Sequence, residues 1–87
     1  MKTKSKAKMN LIHSLSVEYP LDKYKWGSLD PVFRKLVKQS ESGGGTGFGV
    51  RDLSFYFKTK TQAASAKKRV DRLHLASVRT NVRSFSV

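Results

Sequence analysis

Two stretches of this chain alternate apolar and polar residues, and each leads into an amphipathic segment with a helix-start signal. In the first, Leu11, His13, Leu15, Val17 and Tyr19 share one side, and Ser14, Ser16 and Glu18 the other. That spacing predicts a half-buried strand, ended by Pro20. Asp30-Pro31 then opens a helix. Asp30 is placed to cap it, and Pro31 has no N–H to lose at the first helical position. Leu29, Phe33, Leu36 and Val37 fall on the inner side, Arg34, Lys35 and Lys38 face outward, and a stop is expected near Ser40. In the second stretch Leu53, Phe55 and Phe57 alternate with Ser54, Tyr56 and Lys58. Thr59 to Gln62 reads as a capping box. The helix it starts carries Ala63, Ala66, Val70 and Leu73 on one stripe. After a turn at 75–77, Val78, Thr80 and Val82 alternate with Arg79, Asn81 and Arg83 as another strand, with Phe85 on the basic side.

The order is strand, helix, loop, strand, helix, strand. Helices with one apolar side each cover one face of a sheet and leave the other open. The expected fold is therefore α+β: a ferredoxin-like split βαβ with three or four mostly antiparallel strands and two helices on one face. The open question is the glycine segment 41–50, read as a flexible loop. Either Thr46 to Val50 supplies a short fourth strand or the sheet has three. With three, the strand from Asp52 to Phe57 has an exposed edge that invites another chain to pair there.

With 87 residues and no cysteine, the chain makes one small domain, at 10–87, without disulfides. No apolar run reaches the roughly 18 to 20 residues of a membrane span, so no membrane partner is expected and the cytoplasm is the expected location. Residues 1–9 alternate lysine with small residues and read as a disordered basic arm.

Charge narrows the partners. Eighteen Lys and Arg against six acids give a net charge of +12. The excess lies in the arm, through Lys2, Lys4, Lys6 and Lys8, and in residues 59–87, with seven bases against one acid. A polyanion is the natural partner, so nucleic acid, RNA or DNA, is the leading expectation. The alternative is a small regulator or inhibitor, of a mobile-element type, that docks on an acidic protein. The same charge opposes self-association and favours a monomer over an edge-paired homodimer.

Residues 45–73 resemble the third strand and second helix of an RNA-recognition motif. Gly47-Phe48-Gly49 matches the centre of that family's strand signature. Thr46 stands at its basic position, and Val50 and Arg51 stand where Phe and Val are expected. On the first strand Ser14 and Ser16 occupy the places of an outward aromatic. The resemblance implies the split βαβ fold and an open sheet face that binds RNA.

The residues themselves point to two candidate surfaces. On the open face, Tyr56 and Lys58 would be joined by Arg79 and Arg83, an aromatic among cations that stacks a base and holds its phosphates. On the second helix, Lys67, Lys68 and Arg72 lack acidic neighbours and would contact phosphates together with the arm. Lys23, Tyr24, Lys25 and Trp26 interleave bases with aromatics, and the favoured role for the two rings is to cover one end of the core. The glycine segment leads into a strand and holds no lysine, unlike a phosphate-binding loop. His13 and His74 make no metal pair, and no nucleophile stands beside a base. Neither catalysis nor a cofactor is expected.

Overall fold

The computed structural model describes residues 11–86, in the order β1 (Leu11–Pro20), α1 (Asp30–Val37), β2 (Gly43–Gly47), β3 (Val50–Phe57), α2 (Lys60–Asp71) and β4 (Arg79–Ser86). The strands form one antiparallel sheet in the order β2-β3-β1-β4. This is the ferredoxin-like split βαβ arrangement with four strands. The basic arm expected at 1–9, with Lys2, Lys4, Lys6 and Lys8, lies outside the described residues.

Alternation sets which side of the sheet is buried. Leu15, Val17 and Tyr19 of β1 lie opposite Phe55, Leu53 and Arg51 of β3, and all but Arg51 are fully buried. Phe33 and Val37 of α1 and Ala63, Ala66 and Val70 of α2 complete the core. Two buried alanines let the axis of α2 approach the strands closely. Leu73 lies past the end of α2 and is exposed, so the stripe is one residue shorter than its spacing predicts.

Helix starts divide the two expectations. Thr59 caps α2 as predicted, its Oγ1 accepting from the Gln62 N–H at 3.1 Å. Asp30 does not cap α1. Leu29 holds the cap position without a side-chain bond, and Asp30 is the first helical residue. Its carboxylate turns inward instead. It accepts from the Tyr19 hydroxyl at 2.7 Å and from Arg51 Nε and Nη2 at 3.2 and 2.8 Å. A forked guanidinium and a buried hydroxyl satisfy a carboxylate better than one backbone N–H at a helix end.

The glycine segment departs most from expectation. Gly43 to Gly47 is a strand, not a loop, paired from Gly43↔Ser54 to Gly47↔Val50. Consequently β3 lies inside the sheet, and the exposed edges are β2 and β4 rather than the Asp52–Phe57 strand. The hairpin closes through Phe48 and Gly49, both at positive φ, 53° and 75°. Two such residues in sequence fit the tight turn whose twist matches a hairpin. Close pairing also needs Gly44, where a Cβ would stand 3.2 Å from the Asp52 carbonyl oxygen.

A forked ion pair joins α1 to the segment before β2: Arg34 Nε and Nη2 donate to Glu41 at 2.6 and 2.9 Å. These bonds hold the Glu41 carboxyl down at about 2, from its ordinary 4.5. For Asp30, burial pushes the carboxyl up, but the bonds from Arg51 and Tyr19 outweigh it and hold it below the ordinary value. A carboxylate depressed by folding stabilises the native state above its unfolded pKa, and that contribution disappears as pH falls through the folded one. The urea midpoint is therefore expected to hold down to about pH 5 and then fall steadily toward about pH 2. Glu41→Gln should make that fall shallower. A midpoint that rises on acidification would contradict this assignment.

Candidate nucleic-acid interface

Helices cover only one side of the sheet, and the register places the other side's residues in rows. Ser14 of β1 lies between Tyr56 of β3 and Arg83 of β4, Ser16 between Ser54 and Asn81, and Glu18 between Asp52 and Arg79. No bulge interrupts β4, so Phe85 continues the row of Arg79, Asn81 and Arg83.

The two ends of this face differ in chemistry. At one end the rings of Tyr56 and Phe85 meet edge to face, with centroids 5.7 Å apart. They reach each other across β1, where Ser14 is small enough to lie beneath and is only 7% exposed. Tyr56 and Phe85 themselves remain 44% and 38% exposed. Arg83 stands beside them, whereas Lys58, expected on this face, lies past the end of β3 and shares a depression with Gln39 and with Gln62 and Ser65 of α2. At the other end Glu18 and Asp52 are directly opposite, a like-charge pair that repels phosphate. Arg79 belongs to that end, facing Glu18. A shallow depression of about 340 Å³ lined by Ser16, Glu18, Arg79, Thr80, Asn81 and Arg83 joins the two.

The residues expected to act together therefore separate. Tyr56 and Arg83 gather at the aromatic end, Lys58 lies past the end of β3 near Gln62 and Ser65 of α2, and Arg79 lies at the other end opposite Glu18. Phe85 is the partner that residue-by-residue reading left unassigned. Its place on the basic side was readable, but its contact with Tyr56 depends on the register across β1.

The bases of α2 lie on the opposite layer from this face. Lys68 and Arg72 are exposed, as expected. Lys67 is not without an acidic partner, because its Nζ bonds Asp71 at 2.7 Å, one helical turn on. Arg69 donates from Nε to the Leu36 carbonyl at 2.7 Å and so ties α2 to α1. Of the helix cations, Lys60, Lys68 and Arg72 are exposed and outside any ion pair among the described residues, and are left to attract a polyanion.

Tyr24 has the covering role expected of it: it packs on the core and its hydroxyl donates to the Ala76 carbonyl at 2.9 Å. His13 contacts the Ser84 hydroxyl through Nδ1 at 2.7 Å. Among the described residues no three His, Asp or Glu side chains converge to hold a metal, and no helix is long and apolar enough to cross a membrane.

Comparison of the chain with protein-family models, curated proteins and solved structures finds no match. The Gly47-Phe48-Gly49 signature that resembles an RNA-recognition motif forms the β2–β3 turn rather than the body of a strand. The exposed aromatic rings of the sheet face are Tyr56 and Phe85.

Proposed function

We propose that this protein binds single-stranded nucleic acid on the open face of its sheet. The observation that carries the reading is the Tyr56–Phe85 pair, exposed beside Arg83 over Ile12 and Ser14 of β1. A solvated sheet face gains little from two large rings, whereas an unpaired base gains a stacking surface. Phe85 supports the Tyr56 ring from the side, so the hydroxyphenyl face is already oriented when a base arrives. Arg83 flanks the ring pair and takes an adjoining phosphate, and Lys58 at the end of β3 adds charge near the same edge. Glu18 and Asp52 keep the strand's backbone away from the opposite end, which gives the bound strand a preferred path. Lys68 and Arg72 add to the long-range attraction.

Fluorescence anisotropy of an end-labelled oligothymidylate tests this. If about four phosphates are contacted, the logarithm of affinity falls with the logarithm of salt at a slope near −3. Binding that ignores salt would contradict a phosphate-led mode.

A second reading draws on a different feature. β2 is an edge strand with four glycines and no charged side chain to guard it, the condition under which a partner's strand can extend a sheet. A regulator or inhibitor that captures an acidic protein would use this edge. Capture of a protein from nuclease-treated lysate, lost on Gly43→Glu, where a side chain meets open space and puts a charge on the edge, would favour it over nucleic-acid binding.

A further inference from the structure

The connection from β1 to α1 and the β2–β3 turn meet at one end of the sheet, outside the face described above. Two bonds join them. The Leu21 N–H donates to the Gly49 carbonyl at 2.8 Å, and Trp26 Nε1–H donates to Thr46 Oγ1 at 2.8 Å. The guanidinium of Arg51 lies 4.6 Å from the centre of the Trp26 ring, and Arg51 is itself fixed by its fork to Asp30. The indole is thus anchored through its N–H and one face, yet it is 59% exposed.

Phe48 stands two residues beyond Thr46, at the tip of the hairpin, fully exposed and at a φ of 53°. Glycine and asparagine take that conformation readily, and a bulky residue does so at a cost. The hairpin turn requires that backbone conformation but not a phenyl ring to fill it, and the ring buries nothing within its own chain. An outlier of this kind points to use by a partner. Lys23 and Lys25, both exposed, lie in the connection that carries Trp26.

Two ligand surfaces accept aromatic rings beside lysines, a lipid headgroup layer and an unpaired nucleotide. A ring at a lipid surface uses its N–H among the headgroups, but the Trp26 N–H is already taken by Thr46. What remains free is a rigid π-face, which suits a planar base. We infer that this end of the molecule is a second stacking site, where Trp26 and Phe48 receive unpaired bases and Lys23 and Lys25 hold the adjoining phosphates. The inference rests on the nucleic-acid reading; because the Glu18–Asp52 pair lies between this end and Tyr56, the site takes its own segment of the strand rather than continuing the path across the sheet face.

Trp26 is the only tryptophan in the chain, so its emission reports on this site alone. In a titration with end-labelled oligothymidylate, Trp26 emission should be quenched in step with the rise in anisotropy. The quenching should persist at saturation in Tyr56→Ala. Trp26→Leu should weaken binding about 5- to 150-fold, the range for one stacked base. Phe48→Asn should also weaken it, while raising Tm by relieving the turn. That variant keeps the test sound should Trp26→Leu fold poorly. A rise in anisotropy with unchanged Trp26 emission would overturn the second site and leave the sheet-face reading standing. No rise at all would overturn both. A blue shift with phosphatidylserine–phosphatidylcholine vesicles, where oligothymidylate leaves the emission unchanged, would assign the rings to a lipid surface instead.

Discussion

Asp30→Ala is expected to destabilise the protein by about 3 to 5 kcal/mol, the usual result of removing one member of a buried ion pair. The Asp30 side chain is 5% exposed and serves two partners. Its loss strands the Arg51 guanidinium, whose side chain is 11% exposed, and leaves the buried Tyr19 hydroxyl without its acceptor. Because Arg51 also lies against Trp26, the damage should spread to the β1–α1 connection and to Thr46 of β2. A domain of this size has a total stability of roughly 4 to 13 kcal/mol, so this one change removes a large part of it. Urea unfolding followed by circular dichroism measures the effect. Replacing both charges, as Asp30→Ala with Arg51→Met, should cost less than the two single changes added together, since no charge is then left buried and alone. A loss below about 1 kcal/mol for Asp30→Ala would mean that water reaches Arg51 and that the network holds little together.

Tyr56→Ala is expected to weaken binding of a single strand by roughly 1 to 3 kcal/mol while leaving its salt dependence nearly unchanged. Arg83→Ala should weaken it too and flatten the salt slope by about 0.7, the contribution of one phosphate on a single strand. The two changes separate stacking from charge on neighbouring side chains. Arg79→Ala should do less than Arg83→Ala, because Arg79 faces Glu18 across the strand pair. Equal effects of the two arginines would mean that the acidic end does not shape the path of the bound strand.

The fold was legible wherever side chains carry the pattern. Leu15, Val17 and Tyr19, and Leu53 and Phe55, announce their strands by alternation. Phe33 and Val37 announce the inner side of α1, and Thr59 with Gln62 the start of α2. β2 carries no such signal, because glycine has no side chain to alternate. That strand exists through pairing with β3 and through the turn at Phe48–Gly49. The role of Asp30 was hidden for a different reason. Its short-range context, just before Pro31, is that of a cap, while the partners that turn it inward lie 11 and 21 residues away. Parity alone put Tyr56 and Arg83 on one face, but the Tyr56–Phe85 contact and the Glu18–Asp52 opposition depend on which residues face each other across β1. The Lys67–Asp71 pair is the exception: its four-residue spacing was readable on the helix.

The most direct measurement of the central claim is an amide chemical-shift titration of the protein with a single-stranded oligonucleotide. On the sheet face, the largest shifts are expected at Ser14, Tyr56, Arg83 and Phe85, which meet there, with smaller ones at Glu18 and Asp52. Still resonances at those four residues, with shifts confined to Lys68 and Arg72 on α2, would show that nucleic acid binds through charge on the helical layer and that the sheet face is not the site.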